Sequence, residues 1–182
     1  MLMHVNRTRA LAETALMAAL SVVLLLLGTF ISVNTLFFTA LAAYLIGYSI
    51  QKHGLKYGGI QFAACVLLDV FVNPDKFHWI LYLCLGGYLL VSEWVFRKAN
   101  RAQEGRKKLR RQLIYNWILF NIIYIPLVFF FRELLFAGEI PGGTLVLWLA
   151  GQIGWLVYDK AYRVFFQVLR ERGLLERNGK EG

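Results

Sequence analysis

Ser21-Val22-Val23-Leu24-Leu25-Leu26-Leu27 lies inside an apolar run from Leu16 to Val33. In hydrocarbon such a run must satisfy its own backbone, which leaves a helix or a strand of a closed barrel. Barrel strands alternate apolar and polar residues over about ten positions. This stretch does not alternate, so it reads as a helix. A bilayer core is about 30 Å thick and needs about 20 mostly apolar helical residues to cross it. Working outward by that measure gives six spans, at 10–33, 35–50, 57–73, 77–96, 113–131 and 143–161. The expectation is an all-α integral membrane protein, a single bundle of about six transmembrane helices.

With 182 residues and 58% hydrophobic content, six spans leave little for a soluble domain. One polytopic membrane domain is expected over 1–175, with a disordered cytoplasmic tail at 176–182. Cys65 and Cys84 both fall inside spans, so neither a disulfide framework nor a C-x-x-C metal site is expected. Arg7 and Arg9 before an apolar run suggest a signal peptide. The run is too long, however, and lacks a small-x-small cleavage site, so it reads as a retained first helix.

The charge pattern orients the chain. Of the 20 Lys and Arg, all but Lys76 and Arg132 gather in alternate gaps. These are the amino terminus (Arg7, Arg9), the second gap (Lys52, Lys56), the basic loop 97–112 and the segment from Lys160 to the carboxyl terminus. Basic residues in short loops stay cytoplasmic, so both termini are expected inside the cell membrane. The net charge of +9 is therefore read as orientation and not as nucleic-acid binding. Loop 97–112 is also suited to anionic lipid, though a plain topogenic loop accounts for it. The sixth helix is expected to continue to about Gly173, since Val164, Phe165, Phe166, Val168 and Leu169 are interspersed with Arg163, Gln167 and Arg170.

Polar residues within spans are costly and usually face the bundle interior. Helix 3 has Asp69 and Asn73 at i, i+4, and helix 4 opens with His78 and Tyr82 at the same spacing. Helix 5 has Trp117, Asn121 and Tyr124 on one face; helix 6 has Trp148, Gln152, Trp155 and Asp159. Aromatic walls with sparse amide and carboxylate groups suit a small-molecule pocket. The candidate solute-binding residues are Asp69, Asn73, His78, Tyr82, Asn121, Tyr124, Trp148 and Gln152. A plainer account remains open, with Trp79 and Trp148 as interfacial belt residues, Asp159 meeting water and Glu13 facing the positive end of helix 1.

Small residues recur at helical spacing. Ala12, Ala15 and Ala19 share a face of helix 1, and Thr39/Ala43/Gly47, Gly59/Ala63 and Ala150/Gly154 suggest close helix packing. Pro126 is expected to kink helix 5. The outer loop 132–141 is a connector or a lid. No phosphate loop G-x-x-x-x-G-K-S/T, zinc-protease H-E-x-x-H or G-x-S-x-G nucleophile elbow is present, so no enzyme chemistry is indicated. No metal or cofactor is called for.

The opening Thr8-Arg9-Ala10-Leu11-Ala12-Glu13-Thr14-Ala15-Leu16-Met17-Ala18-Ala19-Leu20 resembles the first helix of substrate-binding (S) components of energy-coupling-factor transporters, and of YybS-like membrane proteins. Lys52-His53-Gly54-Leu55-Lys56-Tyr57-Gly58-Gly59 resembles the basic turn after their second helix. The resemblance covers about the first 90 residues. It implies six helices that bind a small solute near the outer face. It also implies a docking pair at Ala15 and Ala19 for a transmembrane coupling protein, with transport driven by separate ABC-type ATPases. Leu67-Leu68-Asp69, His78 and Leu83-Cys84-Leu85-Gly86-Gly87-Tyr88-Leu89 also look like the rod-shape protein MreD. That resemblance implies a ligand-free scaffold of the cell-wall machinery, with Asp69 structural.

Overall fold

The computed structural model describes residues 2–31, 34–74, 78–99, 106–130 and 143–175. Every regular element among them is a helix: α1 (Leu2–Phe30), α2 (Thr35–His53), α3 (Leu55–Val72), α4 (His78–Ala99), α5 (Arg106–Phe130) and α6 (Gly143–Glu171). The outer loop 132–141 and the tail 176–182 lie outside the described residues.

The helices fall where the apolar runs predict them, but three overrun those runs by seven residues or more. α1 begins at Leu2, α5 begins at Arg106, and α6 ends at Glu171. Hydropathy marks what hydrocarbon requires, whereas a helix continues wherever its residues tolerate it. The basic stretch from Arg106 to Arg111 is made of good helix formers. Among the described residues, four helices are long and apolar enough to cross a membrane: Arg7–Phe30, Leu55–Val72, His78–Lys98 and Arg111–Phe129. α2 falls short because Gln51, Lys52 and His53 close its 19 residues, and α6 because Asp159, Lys160 and Arg163 interrupt it.

The chain forms two compact units, Met1–Trp94 with Val168–Gly182, and Val95–Gln167. In the first, α1, α2 and α3 pack on one another. α1 buries Ala10, Thr14, Ala18, Ser21, Leu25 and Gly28, recurring every three or four residues as one helical face must. α2 is the most enclosed, with Thr39, Ala42, Ala43, Ile46, Gly47, Ser49 and Ile50 all buried. The Thr39/Ala43/Gly47 motif therefore packs inward as expected. Gly59/Ala63 does not. Nothing stands near Gly59, and Ala63 is exposed. The close approach is at its neighbour Gly58, where a Cβ would overlap Ile50 of α2.

In the second unit, α5 and α6 pair through long side chains. Phe120 stacks on Tyr124 at 4.9 Å and on Trp155 at 5.9 Å. Ala150 and Gly154 are exposed, so that expected motif also misses the contact. Gly151 makes it instead, since a Cβ there would overlap the Tyr124 ring. α5 runs through Pro126 to Phe130 without interruption.

Candidate functional site

The most concentrated polar chemistry lies where α3 ends and α4 begins. Asn73 caps α3, its backbone N–H donating to the Asp69 carbonyl at 3.0 Å. Its side chain turns back as well, Nδ2 donating to Asp69 Oδ1 at 2.8 Å. Thr29 of α1 donates its hydroxyl to Asn73 Oδ1 at 2.9 Å. His78, the first residue of α4, places Nδ1 3.3 Å from Asp69 Oδ2 and Nε2 3.3 Å from Thr39 Oγ1 of α2. Thr39 in turn donates to the Thr35 carbonyl at 2.8 Å. The cluster around this one carboxylate thus ties four helices together.

This cluster is closed to solvent: Asp69 is 2% exposed, Asn73 1% and His78 3%. An ionised carboxylate only accepts, so the groups facing it must be N–H donors. The Asn73 amide meets that demand, and so does His78 through an N–H at Nδ1. A buried charge is tolerated only when its lone pairs are filled in this way. Tyr82 lies one turn along α4 from His78, fully buried, its ring 6.0 Å from Phe62. Of the eight candidate residues, Asp69, Asn73 and His78 bond directly, with Tyr82 on the same helix face.

The other four belong to the second unit. Gln152 of α6 accepts from Trp117 Nε1 at 2.8 Å and donates to Asn121 Oδ1 at 3.0 Å. Asn121 donates to the Trp117 carbonyl at 2.9 Å, and Tyr124 donates its hydroxyl to the Leu147 carbonyl at 2.7 Å. These bonds pair α5 with α6. Trp148 is exposed. A shallow cavity of about 450 Å³ lies along α5 between Trp117 and Pro126, with an almost wholly apolar lining. Asp159 does not meet water. It is buried, paired with Arg163 at 2.6 Å and accepting from Asn116 Nδ2 at 3.2 Å.

A third cluster escapes sequence reasoning. Glu13 of α1 receives Arg9 at 3.0 Å, Lys52 at 2.7 Å and His53 at 3.0 Å. Because α1 starts at Leu2, Glu13 lies about three turns in, beyond the reach of the helix dipole. Its role is to join α1 to the end of α2. Lys52 also donates to the Tyr48 hydroxyl at 3.1 Å. Hydrogen bonds to Glu13 first and Tyr48 second push the Lys52 ammonium above its ordinary range. At the same end, Arg170 of α6 donates to Gln51 at 2.9 Å. The missed signal was in the register, since residues 39, 42, 46, 49 and 53 fall on one stripe of α2.

Ala15 and Ala19 are both exposed, on the side of α1 away from its buried stripe. Among the described residues, no group of three or more His, Cys, Asp or Glu is placed to hold a metal ion. No family model matches the chain, and no curated protein or solved structure matches it either.

Proposed function

We propose that this chain is a multi-pass protein of the cell membrane, with six spans and both termini cytoplasmic, that works as an S-component-like solute-binding subunit. A separate transmembrane coupling protein and ABC-type ATPases supply the motor. The observation that carries this reading is the disposition of α1. One face is consumed by packing against α2 and α3, while the Ala12/Ala15/Ala19 face is left uncovered. Small residues on an uncovered membrane helix let another helix approach closely, where van der Waals packing rather than hydrophobic drive holds helices together. The solute is met by Asp69, Asn73, His78 and Tyr82, and must compete with the internal bonds of that cluster.

The test is co-purification of the chain with its membrane neighbours, followed by mass spectrometry of any small molecule released. Recovery of a coupling protein, lost when Ala15 and Ala19 are both replaced by Trp, supports the reading. Recovery of cell-wall enzymes instead selects the MreD-like scaffold. That second reading has its own observation: the Asp69 cluster is closed and internally satisfied, as a purely structural tie would be.

A further inference from the structure

α3 is built inside out. Its inward residues Gly58, Gln61, Cys65 and Asp69, with Asn73 at the cap, are all small or polar. Ile60, Leu67, Leu68, Phe71 and Val72 of the same helix are exposed. Below the Asp69–His78 pair, the Cys65 thiol donates to the Ala18 carbonyl at 3.6 Å. A turn further on, Gln61 Nε2 donates to Ser21 Oγ at 3.2 Å. Ser21 in turn donates to the Met17 carbonyl at 2.9 Å, with the Ala42 carbonyl at 3.3 Å. Two fully buried oxygens, Gln61 Oε1 and Ser49 Oγ, have no hydrogen-bond partner.

The stripe of α2 runs beside this face. Thr39 meets His78, the Ala42 carbonyl meets Ser21, and His53 meets Glu13. Ser49 lies on the same stripe between the last two. Polar groups therefore follow one another through the first unit, and each end of the column is an acid–imidazole pair. Pairwise helix glue does not require two partnerless oxygens midway or titratable pairs at both ends. Chains of Asp, Glu and His inside a membrane are the usual furniture of proton relays.

We propose that the first unit conducts protons along this column, between Asp69–His78 and His53–Glu13. The proposal rests on the membrane-spanning reading above and is independent of solute binding. Thr39, Ser21, Ser49 and Cys65 each carry a hydroxyl or thiol able to donate and to accept, so a proton taken on one side is released on the other. Gln61 holds Ser21 through Nε2 and leaves Oε1 as an acceptor within the column. One helical turn advances about 5.4 Å, longer than a hydrogen bond of about 2.7–3.2 Å, so conduction requires bridging water between the turns that no direct hydrogen bond joins. Each relaying group forms one bond to hydrogen and breaks another, so a proton entering at one pair leaves from the other with no net change in the column. Asp69 and His78 are faced by Asn73, itself held by Thr29, and by Thr39; Glu13 and His53 by Arg9, Lys52 and Tyr57.

The test reconstitutes the full chain in phosphatidylcholine–phosphatidylglycerol vesicles loaded with a pH-sensitive dye. A potassium gradient with valinomycin drives proton entry, and flotation measures incorporated protein. Entry several-fold faster than in protein-free vesicles is expected. It should be abolished by Asp69→Asn, slowed by Gln61→Leu and unchanged by Glu171→Gln at the exposed end of α6. Cys65 supplies a pair that does not depend on Asp69 variants folding: Cys65→Ser keeps a relaying hydrogen and retains entry, whereas Cys65→Ala lowers it. Floated wild-type protein with entry at the protein-free rate overturns conduction, as does equal entry in the two Cys65 variants. Protein that fails to float overturns the membrane reading itself.

Discussion

Asp69 and Glu13 each bind helices together, but in opposite surroundings. Glu13 is met by three basic groups at the rim of the first unit, Asp69 by an amide and an imidazole in its interior. Removing Asp69 leaves His78 and Asn73 buried without their acceptor. Breaking a buried pair on one side costs about 3–5 kcal/mol. Asp69→Ala should therefore lower the melting temperature in detergent sharply. Insertion should be no harder, because an aspartate at a helix centre costs about 2.5–3.5 kcal/mol on insertion scales. A melting temperature equal to wild type would reduce the cluster to incidental contacts. Lys52 behaves differently. Its raised pKa means that its contribution is complete at neutral pH and is lost only as pH climbs through an already alkaline value. No loss of stability through Lys52 is expected on titration from pH 6 to 8.

The glycines show what periodicity alone cannot decide. Gly58 and Gly59 are adjacent, about 100° apart around the helix. The small-residue spacing selects Gly59, but the contact with Ile50 belongs to Gly58. On α6 the spacing selects Gly154 where Tyr124 meets Gly151. Gly151→Ala should overpack the α5–α6 contact by about 1–3 kcal/mol, while Gly154→Ala, with open space around it, should be neutral or slightly stabilising. Thermal unfolding of the two variants side by side distinguishes them. Equal effects would mean that Tyr124 yields without cost.

At the scale of elements, the apolar runs made all six helices legible, because a long non-alternating run has few alternatives. Helix ends were less so at α1 and α5, which begin eight and seven residues ahead of their apolar runs. The pattern past Lys160 already carried the last helix to about Gly173, close to the observed end of α6 at Glu171. Its 29 residues rise about 43 Å, more than the roughly 30 Å of a bilayer core. The inward face of α3 was partly legible, since Asp69 and Asn73 stood out in an apolar segment. Thr29 and Thr39, which complete the cluster, come from other helices, and no local pattern pairs them with it. α1 gives the cleanest test at this scale. Ala15 and Ala19 are exposed, so Ala15→Trp with Ala19→Trp should leave the melting temperature of the isolated protein unchanged while abolishing retention of a docked partner. Were this face packed inward, the same pair would cost about 1–3 kcal/mol at each site through overpacking. A large fall in melting temperature would end the docking proposal.

For the whole molecule, the contacts of the first unit add to what the charge pattern says of topology. Arg9 and Lys52 converge on Glu13, and Arg170 reaches Gln51, so the start of α1, the end of α2 and the end of α6 share one end of that unit. These are three of the four segments that basic charge assigns to the cytoplasm. The decisive element is α2, which is less apolar than the four clear candidates yet is among the most deeply enclosed. A helix shielded by its neighbours needs fewer apolar residues than one surrounded by lipid, so α2 is expected to cross. Single cysteines introduced at positions 34, 75 and 140 should react with an impermeant thiol reagent in intact cells, and those at 53, 105 and 175 only after permeabilisation. The pair 34 and 53 brackets α2 directly. Labelling of both in intact cells would place the two ends of α2 on one side, reduce the number of spans and remove the common cytoplasmic end on which the six-span topology depends.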